Sequence, residues 1–470
     1  MKQNRKYSVG IAICYFGLYI IISLSLLIRQ PFGSPPDEFN RYLIPQYIFR
    51  NNTLPNGFDE AIRIPGYGFS YAFQPILPYI FQGWVMRIVG SFTDSQEALV
   101  YAARSVNFLL GLIMALFVLL LAKKWFQKAC WQWLFAFLVT FLPQSIYIHT
   151  YVNTESCCML STVLMLYGLT CGLRDGFRLR SSLIMTVGII LCALSYYNAY
   201  GFVLSCILLF TAKYLYLSDG KFELNWKEFL KRGGLIAALV LLGIGWWFIR
   251  SYILYDGDFL GLKTREYCAS LYANDNHTPA NVATWKNQGY SVWDMLLYSN
   301  FSITSQMSFI GIFGSMNITT SIWIYRFYRA LFFAGILMCL AIPANKVKAI
   351  DSSAQLGTRK ILERFYHWNM LFCIVMPLFL SIHYSYATDF QPQGRYLLPA
   401  LVPLAYYCVR GIEKVLEITQ ILLSKKGFDM YQWRILEQVF AGIVCMVVAI
   451  CLIVTVYGYV FAYYEVNPLG

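Results

Sequence analysis

Long apolar runs are the feature that most constrains what this chain can fold into. The run "IAICYFGLYIIISLSLLI", at 11–28, contains no charged residue and is long enough to cross a bilayer as a helix. Composition points the same way, because 58% of the 470 residues are hydrophobic and only 13% are charged, about half the share of a soluble domain. The sequence therefore predicts an all-α, polytopic membrane protein.

About eleven spans are predicted, in a range of about 10–13 because several connections are short. They lie near 8–28, 104–122, 131–148, 156–172, 181–198, 199–217, 234–254, 321–342, 367–386, 396–411 and 438–463. The segment 301–314, "FSITSQMSFIGIFG", is apolar but short, so it is predicted to be interfacial or re-entrant, or else a twelfth span. The start "MKQNRK" with the following apolar run is interpreted as a retained span and not a cleaved signal peptide.

The distribution of Lys and Arg predicts an inside N-terminus, because most of them fall in alternate, short connections. The net charge of +13 is explained by these loops, and nucleic-acid binding is not expected. One integral membrane domain, 1–470, is predicted. It has spans two to seven in 104–254, C-terminal spans in 321–463 and two long outer loops, 29–103 and 255–320. Loops this long are usually functional.

The first outer loop contains two helical patterns. "DEFNRYLIPQYIF" repeats its aromatic residues at helical spacing, and "QPILPYIFQGWVMRIVG" is amphipathic and aromatic. Both are too polar or too rich in proline to span, so they are predicted to be interfacial helices. The thirteen cysteines almost all lie in apolar runs without a matched C-x-x-C pair, which argues against a cysteine metal or redox site.

Charged and polar side chains collect at the predicted outer ends of the spans. They are Asp37, Glu38, Arg104, His149, Asn153, Glu155, Arg250, His383, Asp389 and Arg395. Charges at membrane depth are costly and mark functional sites. Simpler roles are open for each: the acids cap helices, the arginines anchor spans at the interface, and the histidines pack or form hydrogen bonds.

Such a set of residues suits the transfer of a group from a lipid carrier. A carboxylate can take the proton of an acceptor hydroxyl. Arginine pairs bidentately with a phosphate or pyrophosphate leaving group. A second acid can position the acceptor or hold a divalent cation, and the many tyrosines and tryptophans suit sugars and isoprenoid chains.

Five motifs carry a resemblance to a known superfamily. They are "PPDEFNR", "P…YVNTES", "WWFIRSYILYDGD", "SFIGIFG" and "QGRYLLP". Their order and placement between residues 30 and 405 resemble the GT-C superfamily of membrane glycosyltransferases. More specifically, they resemble a largely uncharacterised bacterial family with P-x-D-E, V-N-x-D and G-R-Y-L-x-P motifs. The chain departs from that pattern at Glu155, where the family commonly has aspartate.

The resemblance implies a role for four residues: Asp37 as catalytic base, Glu38 beside it, Glu155 as second acid and Arg395 on the donor phosphate. Placement adds further donor-phosphate candidates, Arg104 and Arg250. The candidates for substrate binding are Asn153, His149, His383, Tyr396 and Gln393. No cofactor is certain; if Mg²⁺ or Mn²⁺ takes part, Asp37 and Glu155 are its expected ligands.

The expected function is that of a glycosyltransferase at the outer face of a bacterial plasma membrane. It would move a sugar, with inversion, from a polyprenyl-phosphate or -diphosphate donor to a glycan, cell-wall polymer or lipid acceptor. Two alternatives stay open at this point. One is a polysaccharide polymerase or ligase that uses lipid-diphosphate glycans. The other is a lipid or solute transporter, which the absence of internal repeats and the small number of acids within spans disfavour.

Overall fold

The protein, seen in a computed structural model that describes residues 2–218, 221–341, 356–424 and 429–467, is built mainly of helices. Up to residue 214 the α-helices are α1 Lys2–Arg29, α2 Glu38–Asn51, α3 Leu77–Gly90, α4 Gln96–Trp125, α5 Ala129–Thr140, α6 Pro143–Tyr147, α7 Glu155–Asp175, α8 Leu179–Ala193 and α9 Tyr200–Tyr214. They continue with α10 Trp226–Leu254, α11 Leu262–Tyr272, α12 Val292–Tyr298, α13 Phe301–Gly311, α14 Ile322–Ala341, α15 Leu356–Ala387, α16 Leu401–Ser424, α17 Met430–Ile453 and α18 Ala462–Val466.

Shorter elements connect these helices. Turns of 3₁₀-helix occupy Glu60–Ile62, Tyr71–Phe73, Tyr197–Ala199, Asp275–His277 and Gly394–Ala400, and Val454–Phe461 is π-helical. Two antiparallel hairpins pair β1 Leu215–Ser218 with β2 Lys221–Leu224, and β3 Ile312–Phe313 with β4 Ile318–Thr319.

Seven helical segments in the described part of the chain are long and apolar enough to cross a membrane. They are Val9–Arg29, Gln96–Trp125, Glu155–Asp175, Trp226–Leu254, Ile322–Ala341, Leu362–Ala387 and Tyr431–Val466. Two shorter apolar helices are α5 and α8. The all-α, polytopic membrane architecture predicted from the sequence is thereby confirmed, whereas the count of about eleven spans stays a prediction.

The predicted span 131–148 is broken in the structure. Helix α5 ends at Thr140, and Pro143 opens the separate short helix α6. Proline disfavours the helical conformation of the residue before it, and Leu142 accordingly has φ −58° and ψ 126°. The apolar run thus turns before it reaches the candidate site, and α6 leads into the polar turn that precedes α7.

Helix α7 lies at the centre of the bundle. Its apolar window is 94% buried, compared with 11% for the outlying helix α10. Close packing against α8 depends on small residues, because a Cβ on Gly168 would lie 2.5 Å from the backbone nitrogen of Met185. The first residue of this rigid central helix is Glu155, so its carboxylate has a fixed position.

The two helical patterns of the first outer loop are helices in the structure. Helices α2 and α3 pack together and onto the start of α4 around a second hydrophobic core, separate from that of the main bundle. Their contact is close, since a Cβ on Gly83 of α3 would lie 2.8 Å from Ile48 of α2. This packing fixes the direction of α2 and therefore of the acidic residues at its start. The location of both helices in the membrane interface stays a prediction.

Candidate active site

Two arginines and two carboxylates from three distant parts of the chain meet in one cluster. Arg395 donates from Nη2 to Asp37 Oδ2 at 2.6 Å, and its Nη1 lies 3.8 Å from Glu155 Oε1. Arg41 binds Glu155 through both terminal nitrogens, with Nη2 to Oε1 at 3.0 Å, and its Nη2 lies 3.6 Å from Asp37 Oδ2. We call Asp37, Arg41, Glu155 and Arg395 the acid–arginine cluster.

The local sequence explains why α2 contributes two members of this cluster. Asp37 and Arg41 are four residues apart, which places them on the same side of a helix. Asp37 precedes the helix in the left-handed conformation, with φ 61°, and its carbonyl accepts from the Arg41 backbone N–H at 2.9 Å. Left-handed backbone is costly for a residue with a Cβ, and such strain concentrates at functional sites.

Glycine brings Arg395 into the cluster. A Cβ on Gly394 would lie 2.0 Å from the backbone nitrogen of Phe309 and 2.3 Å from the carbonyl oxygen of Ser305. Only a residue without a side chain therefore allows the 3₁₀ turn Gly394–Ala400 to approach α13 so closely. The motifs "SFIGIFG" and "QGRYLLP" meet at this contact, which holds the Arg395 guanidinium over the site.

Asp37 is the most solvent-exposed member of the cluster. Its side chain is 35% exposed, whereas the side chains of Arg41, Glu155 and Arg395 are between 2% and 6% exposed. Both ion pairs fall on Oδ2, so Oδ1 faces away from them. Burial raises the pKa of Asp37, but the charges of Arg395 and Arg41 lower it by more, so the pKa of this carboxyl lies below its ordinary value.

Glu38, the neighbour of Asp37, is fully buried in a different ion pair. Arg104 donates to it from Nε and from Nη2, both at 2.7 Å, and the backbone N–H groups of Gly33 and Val152 also donate to this carboxylate. The remaining Arg104 protons bind backbone carbonyls at the end of α1, at Leu27, Gln30 and Pro31. All five guanidinium N–H groups are thus occupied.

The geometry therefore assigns Glu38 and Arg104 to structure. A buried arginine whose donors are all used has none left for a phosphate, and a carboxylate with no exposed surface cannot reach an acceptor. The predicted roles of Glu38 in catalysis and of Arg104 in phosphate binding are corrected here. The pair instead fixes the ends of α1, α2 and α4 relative to one another. This arrangement in turn sets the position of Asp37, the residue before α2.

Asn153 and His149 shape the turn before α7. The Asn153 amide donates to the carbonyls of Ile148 and Tyr151 and accepts from the backbone N–H of Ser156. His149 is buried with Nδ1 2.5 Å from the Ser156 hydroxyl, and burial lowers the pKa of this imidazole to about 3. The Asn153 amide is used within the protein, and His149 is fully buried with only Nδ1 bonded and Nε2 without a partner among the described residues, so both residues are assigned here to positioning Glu155 and not to substrate contact.

The late-motif residues divide into two groups. Tyr396 lies next to the cluster, since Arg395 Nη2 is 3.4 Å from its hydroxyl, and this hydroxyl in turn donates to Gln391. Gln393, two residues before Arg395, has a buried Oε1 without a partner among the described residues. His383 is exposed and lies against Phe379, with no bond to the cluster. Tyr396 and Gln393 stay substrate-binding candidates on this placement.

Arg250 lies far from the cluster. It donates to the carbonyl of Pro55, beyond the C-terminal end of α2, and its guanidinium lies 5.4 Å from the Trp247 ring. The fourteen residues of α2 span about 21 Å, so this end is remote from Asp37. The predicted contact between Arg250 and the donor phosphate is therefore corrected; the residue lies in a groove lined by exposed apolar side chains of α10.

Two arginines near the site were not predicted from the sequence. Arg41 is part of "PPDEFNR", and its spacing from Asp37 was a usable signal. Arg265 of α11 had no such signal, because it approaches through tertiary packing. Its guanidinium lies 4.1 Å from the centroid of the Phe69 ring, and Phe69 contacts Tyr71, over which Arg41 lies at 5.3 Å.

A divalent cation fits this set of residues poorly. Arg41 and Arg395 already balance the charges of Asp37 and Glu155, and a third centre of positive charge would be repelled by both guanidiniums. Within the described ranges, no three His, Cys, Asp or Glu side chains are grouped as metal ligands. The Mg²⁺ or Mn²⁺ ion expected at Asp37 and Glu155 therefore has no part in the chemistry derived below.

The structural role of the Glu38–Arg104 pair predicts a stability difference. Glu38→Ala leaves a buried guanidinium without its partner and should cost about 3–5 kcal/mol. Glu465→Ala removes the exposed pair with Arg29, whose side chains are 44% and 68% exposed, and should cost about 0–1 kcal/mol. Thermal unfolding of the purified protein in detergent measures both. Equal losses would contradict the structural assignment.

No protein-family model and no curated protein matches the sequence. The crystal structure of the Archaeoglobus fulgidus oligosaccharyltransferase in the apo form aligns with a TM-score of 0.51 at 13% identity, over 94% of this chain and 56% of that one. ArnT from Cupriavidus metallidurans, bound to undecaprenyl phosphate, aligns with a TM-score of 0.51 at 12% identity, over 95% of this chain and 71% of that one.

The chain thus spans little more than half of the oligosaccharyltransferase, and at these identities the likeness shows the fold. Both alignments cover nearly the whole of this chain, from α1 through the C-terminal helices. This agreement confirms the fold that the ordered motifs implied. The chain shares the fold of these two membrane-protein structures.

Proposed function

We propose that the protein is a glycosyltransferase that moves a sugar from a lipid-linked phosphate donor to a hydroxyl acceptor. The observation that carries the proposal is the partly exposed carboxylate of Asp37, held by two buried arginines in a chain with the GT-C fold. The fold likeness supports this class of reaction, and the undecaprenyl phosphate bound to ArnT supports a polyprenyl-phosphate carrier. The acid–arginine cluster is the place where this chain would perform the transfer.

Asp37 is the proposed base. It is the one member of the cluster with substantial exposure, and its lowered pKa keeps the carboxylate ionised at neutral pH. A base must be within hydrogen-bonding reach of the proton that it takes, and Oδ1 is the oxygen that the two arginines leave to an acceptor. The fixed backbone of Asp37 and the ion pairs on Oδ2 orient that oxygen before the acceptor arrives.

Arg395 and Arg265 are the proposed ligands of the donor phosphate. Arg395 holds Oδ2 of Asp37 through Nη2, and its buried Nε has no partner among the described residues and is left to a phosphate. Arg265 lies near Tyr384, whose ring centroid is 6.5 Å from that of Tyr396 beside Arg395. No described carboxylate forms an ion pair with Arg265, so its charge is available to an incoming phosphate.

The transfer then balances as a single displacement. The acceptor hydroxyl gives its proton to Asp37, and its oxygen forms a bond to the anomeric carbon of the donor. The bond from that carbon to the phosphate oxygen breaks, and the electron pair leaves with the lipid phosphate, where the arginines stabilise the new charge. Attack opposite the leaving group inverts the anomeric configuration, and no covalent enzyme intermediate is required.

Glu155 and Arg41 are proposed to position the two reacting groups. Glu155 is buried, both of its oxygens bind Arg41, and one of them lies near Arg395. Its negative charge therefore lies between the two guanidiniums and fixes the distance between them. Without it, two positive charges would face each other across the site. This role accounts for an acid at the start of α7 without assigning it any contact with substrate.

The proposed setting is the outer face of a bacterial plasma membrane, where the predicted topology places the ends of α1 and α7. The donor would be a polyprenyl-phosphate or -diphosphate sugar and the acceptor a glycan, cell-wall polymer or lipid. Membrane lipids surround the remaining surface, on which α10 exposes a row of apolar side chains.

Purified wild-type protein should release carrier lipid from at least one member of a panel of polyprenyl-phosphate and polyprenyl-diphosphate sugars. Asp37→Asn should lower this turnover by a factor of about 100–10,000, because it removes the base. Asp175→Asn is the matched control, since that carboxylate accepts from Ser181 at the opposite end of α7 from Glu155, and it should keep most of the activity. Equal activity of wild type and Asp37→Asn would contradict the base assignment.

The pH dependence of turnover tests the electrostatic part of the proposal. Because the pKa of Asp37 is lowered, the base is ionised above that pKa, and log(kcat/KM) should fall only on acidification. Arg41→Gln removes one of the two lowering charges, so the acid limb should move to higher pH by about one unit. Arg29→Gln, whose partner is Glu465, should leave the profile in place. An unmoved limb in Arg41→Gln would contradict the cluster's role.

A further inference from the structure

A cavity of about 600 Å³ opens between the end of α1, one face of α2 and the start of α4. The α2 face that lines it consists of Phe39, Tyr42, Leu43 and Gln46, which recur at helical spacing. Arg41 projects from the opposite side of the same helix, towards Asp37 and Glu155. We call this space the α2 cavity; it is separate from the acid–arginine cluster, and its volume is typical of ligand sites.

Two polar atoms at the wall of this cavity are buried and have no partner. They are Oε1 of Gln30, a residue that is 2% exposed, and the hydroxyl of Tyr42, a residue that is 4% exposed. A buried polar group without a hydrogen bond costs about 1–3 kcal/mol, so a ligand with hydroxyl groups would recover that energy once a rotation of the Gln30 or Tyr42 side chain turns the atom into the cavity. The lining thus suits a ligand that has hydrogen-bond donors and acceptors better than a purely apolar chain.

Aromatic and amide side chains complete the lining. The Phe32 ring lies 6.0 Å from that of Phe39 and 5.0 Å from that of Tyr42, and the two phenylalanines are 40% and 55% exposed. The amides of Gln46 and Gln96 border the same space. Exposed aromatic faces beside amide groups match the two surfaces of a sugar ring, which has apolar faces and a hydroxylated edge.

The charges of the lining disfavour a phosphate. Arg104 is saturated by Glu38 and backbone carbonyls, and Arg29 pairs with Glu465 at 2.8 Å and lies over the Phe461 ring. The remaining charge is the carboxylate of Glu97, which accepts from a tyrosine hydroxyl. A phospholipid headgroup could use only Arg29 among the lining cations, by displacing Glu465, and would lie near the carboxylate of Glu97, whereas a neutral sugar meets neither obstacle.

We propose that the α2 cavity binds a neutral oligosaccharide, as the site that holds the non-reacting part of a glycan acceptor. The acceptor assignment rests on the proposed function; the binding of a neutral glycan does not. Since the cavity and the cluster lie on opposite sides of α2, the glycan would be held by one face of the helix while its reacting end extends to the other. Among the proposed acceptor classes, which are polymer, glycan and lipid, this site favours an acceptor that carries a glycan.

Photo-crosslinking tests this site in the full-length protein without knowledge of the particular sugar. Phe39 is replaced by p-benzoylphenylalanine, the protein is expressed in its source cells, and the cells are irradiated before purification. The same replacement at Tyr298, which is 81% exposed and outside the cavity, is the matched control. Mass spectrometry and periodate staining distinguish a glycan adduct from a phospholipid adduct. Gel filtration of each variant verifies that it is folded.

The expected result is a glycan adduct at position 39 that is absent at position 298. Adding Gln46→Ala should lower its yield by about fivefold, the effect of one lost hydrogen bond. A phospholipid adduct, no adduct at position 39, or equal glycan labelling at both positions would overturn the proposal. The crosslink needs no catalysis. A glycan adduct in a protein without donor turnover would therefore remove only the proposed function, and donor turnover without the adduct would remove only the cavity's role.

Discussion

The pairing of Asp37 and Glu155 with Arg41 and Arg395 is the interaction on which the rest of the site depends. Taking four charged groups out of water is costly, and the cost is offset only if the pairs have good geometry. The first outer loop, the central helix and the late 3₁₀ turn must therefore meet in one arrangement. Close glycine contacts at Gly83 and Gly394 make that approach possible, and a second hydrophobic core holds α2 in place.

Asp37 and Glu38 are adjacent in sequence but have opposite surroundings. Glu38 lies in a closed pair with Arg104 that leaves no surface to solvent, and Asp37 lies at the rim of the cluster with one oxygen uncommitted. Asp37 precedes α2 in the left-handed conformation and Glu38 is the first residue of the helix, so their side chains leave the backbone in different directions and enter two environments. The chemistry proposed for one side and the glycan site proposed for the other both follow from that division.

Helix positions were largely predictable from the sequence, because apolar length and periodicity depend on local composition. Pro143 also gave a local signal for the break in 131–148, which the hydropathy of the run concealed. The acids and Arg395 were identified through their motifs, and Arg41 was within reach through its spacing. The partner of each charge was not predictable: nothing in the sequence says that Arg104 closes on Glu38, that Arg250 lies at the far end of α2, or that Arg265 reaches the site. Those facts depend on tertiary contacts between segments far apart in the chain.

The most direct test of the central claim is a cryo-electron microscopy structure of Asp37→Asn with a polyprenyl-phosphate sugar bound. The substitution should prevent turnover while it keeps the size of the side chain. We predict that the donor phosphate lies within about 4 Å of the guanidiniums of Arg395 and Arg265, with the anomeric carbon facing position 37. A donor bound elsewhere, with the acid–arginine cluster closed and without contact to the phosphate, would contradict the account.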